Sequence, residues 1–130
     1  MTVRGCGRTV MVVEDDADVR EAISEVLADC QYTALHAANG AEALQRLRSA
    51  EVRPCLILLD VMMPTMDGWQ FRAEQKSDPS VSDIPVVVLS AHANGSEAAE
   101  KMDAVAYLAK PVSLESLVSL VERFCAVEQE

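Results

Sequence analysis

Four short apolar runs of the sequence are each followed directly by polar side chains that could take part in catalysis. Glu14 and Asp15 follow the first run, Asp60 the second, Ser90 the third and Lys110 the fourth. Clustered carboxylates repel one another unless a hard divalent cation is bound, and Mg²⁺ prefers a few carboxylates together with water and phosphate oxygens. A carboxylate can also attack phosphorus if cations neutralise the phosphoryl oxygens and a hydroxyl donates a hydrogen bond to them. These residue types therefore fit Mg²⁺-dependent phosphoryl transfer, with Asp60 as the nucleophile, Lys110 as the cation and Ser90 as the hydroxyl.

The apolar runs are predicted to be strands of one mostly parallel sheet. They alternate with amphipathic segments, a pattern typical of βα units. Five strands are predicted, at residues 9–13, 32–37, 55–59, 85–89 and 104–109. In an open parallel sheet the carboxyl ends of the strands share one edge, where ligands bind. We therefore expect the polar residues that follow the runs to converge at that edge.

Helical spacing and capping residues predict five helices between and after these strands. Val19, Ile23 and Leu27 recur on one face of the first helix, and Ser113 caps the last. The third helix must end by Pro79, because proline cannot continue a helix. The sequence thus predicts an α/β domain.

Length and charge narrow the class of protein further. The chain has 130 residues, 21 acidic and 11 basic, and a net charge of −10. This size fits one domain, and the negative charge disfavours nucleic acid and anionic membranes as partners. No apolar run approaches the ~20 residues that cross a bilayer. We expect a cytoplasmic protein with a flexible segment at 1–8, one domain at 9–126 and a tail at 127–130.

The four cysteines form no C-x-x-C pair. Cys55 and Cys125 fall in predicted apolar positions, so we expect buried thiols in a reducing compartment rather than redox chemistry.

Four motifs stand in this order along the chain: VVEDD at 12–16, LLDVMMPTMDG at 58–68, VVLSA at 87–91 and YLAKP at 107–111. Taken together, they resemble the receiver domain of two-component response regulators over about residues 9–125. The resemblance implies a flavodoxin-like (βα)5 fold, a three-layer sandwich whose five-stranded parallel sheet has the order 2-1-3-4-5.

The resemblance also implies roles for individual residues. Asp60 would be the phosphoacceptor and become 4-aspartylphosphate, assisted by Ser90 and Lys110 as the other catalytic groups. Mg²⁺, with Mn²⁺ as a substitute, would be held by Glu14, Asp15, Asp60 and the backbone carbonyl of Met62. The Lys110–Pro111 peptide bond would be cis.

A switch and its partners follow from the same resemblance. Ser90 would move toward the phosphoryl group and Tyr107 would turn inward, altering the face made by helix 4, strand 5 and helix 5, where a downstream protein binds. The phosphoryl donor would be a histidine kinase or a histidine phosphotransferase. The chain would then be a stand-alone receiver and a phosphoacceptor switch, not an enzyme, that assists its own phosphorylation and slow dephosphorylation.

Departures from the family pattern are few, and some roles stay open. Glu14 replaces the common Asp, Ser90 replaces Thr, and Asp103 stands where Gly is frequent, which predicts a strained or altered turn. Asp16 fits a helix cap or an outer charge of the metal site, and Tyr107 fits a static core aromatic nearly as well as a switch.

Two other functions compete with the receiver interpretation. An aspartate-nucleophile phosphatase needs a general acid two residues after the nucleophile, where this chain has Met62. An interaction module that never uses phosphate would have no need of the acidic pair, Asp60, Ser90 and Lys110 together.

Overall fold

The computed structural model describes residues 9–49, 53–91 and 95–125. Its centre is a sheet of five parallel strands in the order β2-β1-β3-β4-β5. The strands are β1 Thr9–Val13, β2 Thr33–Ala37, β3 Leu56–Asp60, β4 Val86–Ser90 and β5 Ala106–Ala109. The strand order confirms the prediction of a flavodoxin-like fold. The predicted bounds of the first strand agree with the structure, and those of the others differ from it by one or two residues.

Five helices connect or follow these strands. They are α1 Ala17–Asp29, α2 Gly40–Ser49, α3 Gly68–Lys76, α4 Gly95–Met102 and α5 Leu114–Cys125. The carboxylate of Asp16 accepts hydrogen bonds from the N–H groups of Asp18 and Val19 and so begins α1. Asp67 and Gln70 form a capping box at the start of α3. Both caps lie directly after the segments that follow β1 and β3, so they fix where the chain turns beside the acidic residues.

The core has two halves, one on each face of the sheet. Met11, Ile57 and Leu59 point to the face covered by α2, α3 and α4, where Phe71 is fully buried. The alternate residues of β1, β3 and β4 point to the face covered by α1 and α5. Because both faces are covered, these strands are continuous apolar runs instead of alternating ones.

A buried polar network joins α3 to the end of α4. The guanidinium of Arg72 donates to the carbonyl oxygens of Met102 (2.8 Å) and Asp103 (2.9 Å) and to the side chain of Gln75 (2.7 Å). Gln75 donates in turn to the carbonyl oxygen of Val81 (2.9 Å). Burial lowers the pKa of Arg72, and the nearby charge of Asp103 opposes that shift. Asp103 has a φ of 61°, in the left-handed region that favours glycine, so of the two expected outcomes, a strained or an altered turn, the structure shows strain.

The cysteines correct the sequence analysis. Cys55 and Cys125, which are 70 positions apart in sequence, form a disulfide with Cα atoms 5.4 Å apart. The prediction of two buried thiols was wrong about their chemistry, although both residues are buried. Sequence spacing could not reveal the pair, because the start of β3 and the end of α5 meet only in the folded chain.

Across the ranges that the structure describes, no helix has the length and apolar character needed to cross a membrane.

Candidate functional site

Three carboxylates converge at the carboxyl ends of the neighbouring strands β1 and β3. Glu14 follows β1 and is fully buried, Asp60 ends β3 and is 5% exposed, and Asp15 is exposed to solvent. One oxygen from each lies within 4.8 Å of the other two. Because β1 and β3 are adjacent and parallel, their last residues necessarily lie side by side. The expected convergence of the acidic residues is therefore present.

The carboxylate of Glu14 is held rigidly but is not fully satisfied. Its Oε2 accepts a hydrogen bond from the N–H of Asp16 (3.1 Å), while its own N–H donates to the carbonyl oxygen of Ala37 (3.0 Å). The guanidinium of Arg20 donates to the Glu14 carbonyl oxygen (2.5 Å). Oε1 is buried, has no well-directed hydrogen bond, and lies 2.7 Å from Lys110 Nζ. This oxygen is thus paired with the Lys110 ammonium.

Lys110 brings a positive charge from β5 to the acidic cluster. Its N–H donates to the carbonyl oxygen of Ser90 (2.8 Å), and its Nζ lies 3.3 Å from Asp60 Oδ2. Burial alone would lower the pKa of Lys110, but Glu14 and Asp60 outweigh it and raise that pKa, so the ammonium stays charged. The Lys110–Pro111 peptide bond is cis.

Asp60 lies in surroundings that disfavour its charge. Burial and, next, the negative charge of Glu14 raise the pKa of Asp60 to about 7, against the opposing effects of Lys110 and of the Met62 N–H, which donates to Oδ1 (3.3 Å). A single ammonium does not offset three carboxylates. Clustered carboxylate oxygens with an excess of negative charge fit a hard divalent cation such as Mg²⁺.

A cavity of about 240 Å³ opens above these groups. Its lining residues include Glu14, Asp15, Asp60, Ser90 and Lys110. Since a water molecule occupies ~30 Å³ in the liquid, this volume has room for an ion with several waters or for a phosphoryl group. The charged side chains therefore face a space in which they could act together.

A second cavity, of about 230 Å³, lies between α1 and α5. Val19, Ile23 and Leu117 contribute to its apolar lining, with Lys110 at its border. Such a lining offers no group for acid–base or phosphoryl chemistry, so we place the chemistry in the polar cavity.

Comparison with known proteins agrees with this geometry. Residues 10–122 match the family model of the response regulator receiver domain. Response regulator MprA of Mycobacterium ulcerans is 39% identical over 112 residues, 85% of this chain and 47% of MprA. The chain thus spans about half the length of the curated relatives it matches.

Solved structures are similar as well. A protein of Chloroflexus aurantiacus described as a response regulator has a TM-score of 0.84 at 30% identity, covering 92% of this chain and 98% of that one. The phosphorylated cyanobacterial phytochrome response regulator RcpA has a TM-score of 0.77 at 31% identity, covering 94% of this chain and 96% of its own.

The chain belongs to the response regulator receiver domain family. A receiver domain is the phosphoacceptor part of a two-component response regulator, and the fold of this one confirms the resemblance found in the sequence.

In this receiver domain the two expected switch residues lie on adjacent strands. Ser90 ends β4, is 5% exposed and pairs in register with Ala109 of β5. Tyr107 lies in β5 with a side chain that is 44% exposed, so it is not a buried core aromatic in this state. Tyr107 is thus exposed and not part of the core.

Other residues named from the sequence have defined positions. Asp16 is a helix cap, one of the two roles left open for it, and Asp67 caps α3. The side chain of Met62 is 64% exposed, and its backbone N–H contacts the Asp60 carboxylate.

Two residues near the site were not assigned a role from the sequence. Arg20 fixes the Glu14 carbonyl group, but an arginine one turn into a helix looks like any exposed basic residue. Gly68 packs so closely that a Cβ there would lie 2.6 Å from the Asp60 carbonyl oxygen. The sequence alone could not reveal this contact, because it joins the start of α3 to the backbone of Asp60.

Proposed function

We propose that Asp60 accepts a phosphoryl group from a phosphohistidine of a histidine kinase or histidine phosphotransferase, in a reaction that depends on Mg²⁺ or Mn²⁺. The observation that carries this proposal is the placement of Lys110 Nζ against both Glu14 and Asp60 at the mouth of one polar cavity. A carboxylate nucleophile, a cation and a metal-binding acidic pair are the groups that such a transfer requires.

Each side chain of the site has its own role in the proposed transfer. A carboxylate oxygen of Asp60 attacks phosphorus as the bond from phosphorus to the donor imidazole nitrogen breaks, which leaves that histidine with its electron pair. Lys110 offsets charge on the phosphoryl oxygens, and the hydroxyl of Ser90 donates a hydrogen bond to one of them. Glu14, Asp15, Asp60 and the backbone carbonyl of Met62 would hold the divalent cation, which supplies charge neutralisation at the phosphoryl oxygens when bound.

Signalling would follow from the face made by α4, β5 and α5. Exposed apolar side chains lie on or beside it, namely Val105, Tyr107 and Leu114. When Ser90 moves toward the phosphoryl group, Tyr107 on the adjacent strand would change its position. The binding face presented to a downstream protein would change as a result. We place this exchange in the cytoplasm, with proteins and not nucleic acid or membrane as partners.

The similar response regulator RcpA, whose structure was solved in a phosphorylated form, supports the proposal. A phosphatase in which Asp60 is the nucleophile has less support, because the exposed thioether of Met62 cannot donate a proton to a leaving group. A phosphoacceptor switch that loses its phosphoryl group slowly to water is the better fit.

Mass spectrometry of the intact chain tests the proposal. Incubation with acetyl phosphate and Mg²⁺ should add one phosphoryl group, and chelation of the metal or the substitution Asp60→Asn should abolish the addition. Asp67→Asn is a matched control, because that carboxylate caps α3. An unchanged mass, under conditions that label another receiver domain, would exclude Asp60 as a phosphoacceptor.

A further inference from the structure

Gly95, the first residue of α4, packs against both switch residues. It is buried, and a Cβ built on it would lie 2.8 Å from Cδ2 of the Tyr107 ring and 3.2 Å from Cβ of Ser90. The ring atom Cε2 of Tyr107 would be only 3.3 Å away. Carbon atoms pack at about 3.5–4.0 Å, so the first of these approaches is a steric clash and the others are too close. Any side chain larger than hydrogen would have to displace the ring.

The backbone itself does not require glycine at this position. Gly95 is helical, and its φ is not in the left-handed region where glycine is favoured. In a helix, glycine is less stable than alanine. The close approach of Tyr107 and Ser90 is therefore the structural reason for a glycine here.

Gly95 lies beside the ring of Tyr107 and also faces Ser90, toward which the ring is expected to turn. The ring lies against the Cα of Gly95 in an exposed orientation, and the same Cα faces Ser90 at the end of the adjacent strand. A methyl group at residue 95 would occupy space between the two side chains. The ring could then neither keep its present position nor turn toward Ser90.

We propose that Gly95 is a positioning residue for the Ser90–Tyr107 switch. It provides the surface on which the Tyr107 ring rests in the exposed state, and it leaves open the space through which the ring turns toward Ser90. This inference rests on the proposed function for the movement itself, but the contact between Gly95 and Tyr107 can be tested without it.

A double-mutant cycle tests the contact in the absence of phosphate. Urea unfolding is measured for the wild type, Gly95→Ala, Tyr107→Ala and the double variant. We expect Gly95→Ala to lower the urea midpoint when Tyr107 is present, and to leave it unchanged or raise it when residue 107 is alanine. Ser96→Ala, at the exposed next position of α4, controls for helix propensity. An equal change in the urea midpoint on Gly95→Ala in both backgrounds would show that Gly95 and Tyr107 are not in contact.

Fluorine NMR tests the switch, because the chain has only two tyrosines. Both are replaced by 3-fluorotyrosine, and Tyr107→Phe assigns the signals. In the wild type, Mg²⁺ with beryllofluoride, an analogue of the phosphoryl group, should shift the Tyr107 signal and leave that of the buried Tyr32 nearly unchanged. At equal analogue occupancy, Gly95→Ala should reduce the Tyr107 shift at least twofold, while Ser96→Ala should respond as the wild type does.

The outcomes separate the two proposals. A full Tyr107 shift in Gly95→Ala would overturn the positioning role, and so would a wild type that carries a phosphoryl group on Asp60 with no Tyr107 response. A chain that never takes up a phosphoryl group would overturn the proposed function instead. The double-mutant cycle would still show whether Gly95 contacts Tyr107. If Gly95→Ala does not fold but the double variant does, that rescue supports the contact.

Discussion

Lys110 Nζ lies 2.7 Å from Glu14 Oε1, although β3 and β4 separate the strands that carry these two residues. The contact therefore spans the carboxyl edge of the sheet and crosses the position of Asp60. Glutamate is one methylene longer than the aspartate that is common at this position of the family, so its carboxylate extends further from the backbone. The site thus contains an ion pair between Glu14 and Lys110.

Removal of the ammonium should destabilise the domain. Lys110→Met leaves Glu14 and Asp60 without their counterion, and we expect the free energy of unfolding at pH 7 to fall by ~1–3 kcal/mol. This loss of stability is smaller than that expected on breaking a fully buried ion pair, because Asp60, whose pKa is about 7, takes up a proton readily. Urea unfolding measures the change. Lys101→Met, which breaks only an exposed ion pair with Glu97, should cost less than ~0.5 kcal/mol. Equal losses for the two variants would contradict this expectation.

Asp60→Asn should stabilise the metal-free domain in a pH-dependent way. Folding raises the pKa of Asp60 from 3.8 to about 7, so its ionised form is less favourable in the folded state than in the unfolded state. The penalty is absent below pH 4, grows between pH 4 and 7 and is complete above that, where it amounts to ~4 kcal/mol.

Thermal unfolding of both proteins across this pH range measures the difference. The variant should match the wild type near pH 4 and exceed it in melting temperature at pH 8. Saturating Mg²⁺ should then raise the melting temperature of the wild type more than that of the variant, which lacks one of the proposed metal ligands. A difference that does not change with pH would rule out the charge of Asp60 as its cause.

Sequence predicted best the parts of the structure that depend on local patterns of residues. The continuous apolar runs at β1, β3 and β4 indicated strands covered on both faces, and the residue after each run marked the site. What sequence missed depends on contacts between distant segments. Cys55 and Cys125 are an example, since neither has a neighbour in sequence that hints at a partner. Gly95 is another, because a glycine at a helix start is ordinary until the ring of Tyr107 is placed against it.

Reduction of the disulfide should lower stability without changing the site. Cys55 and Cys125 close a loop of about 70 residues, and loss of such a crosslink costs ~4 kcal/mol in the chain-entropy account. We expect dithiothreitol to lower the melting temperature by about 10 °C, since 1 kcal/mol corresponds to ~3 °C at this size. Cys55→Ser should melt like the reduced wild type and show no response to the reductant, whereas Cys30→Ser should respond as the wild type does. Identical melting of oxidised and reduced wild type would show that the bond contributes no stability.

Arg72 should be the most sensitive arginine of the described residues outside the acidic site. It donates to the buried carbonyl group of Met102 and to the partly buried one of Asp103 at the end of α4, and Arg72→Leu would remove this partner from both acceptors and from Gln75. Each unsatisfied group costs ~1–3 kcal/mol, so a loss of ~3–5 kcal/mol in the free energy of unfolding is expected.

Arg48→Leu, which breaks a partly exposed pair with Asp78, is the matched control and should cost less than ~1 kcal/mol. Hydrogen exchange should show faster exchange at the end of α4 in Arg72→Leu and not in the control. If both arginines can be replaced at the same small cost, the network does not hold α4 against α3.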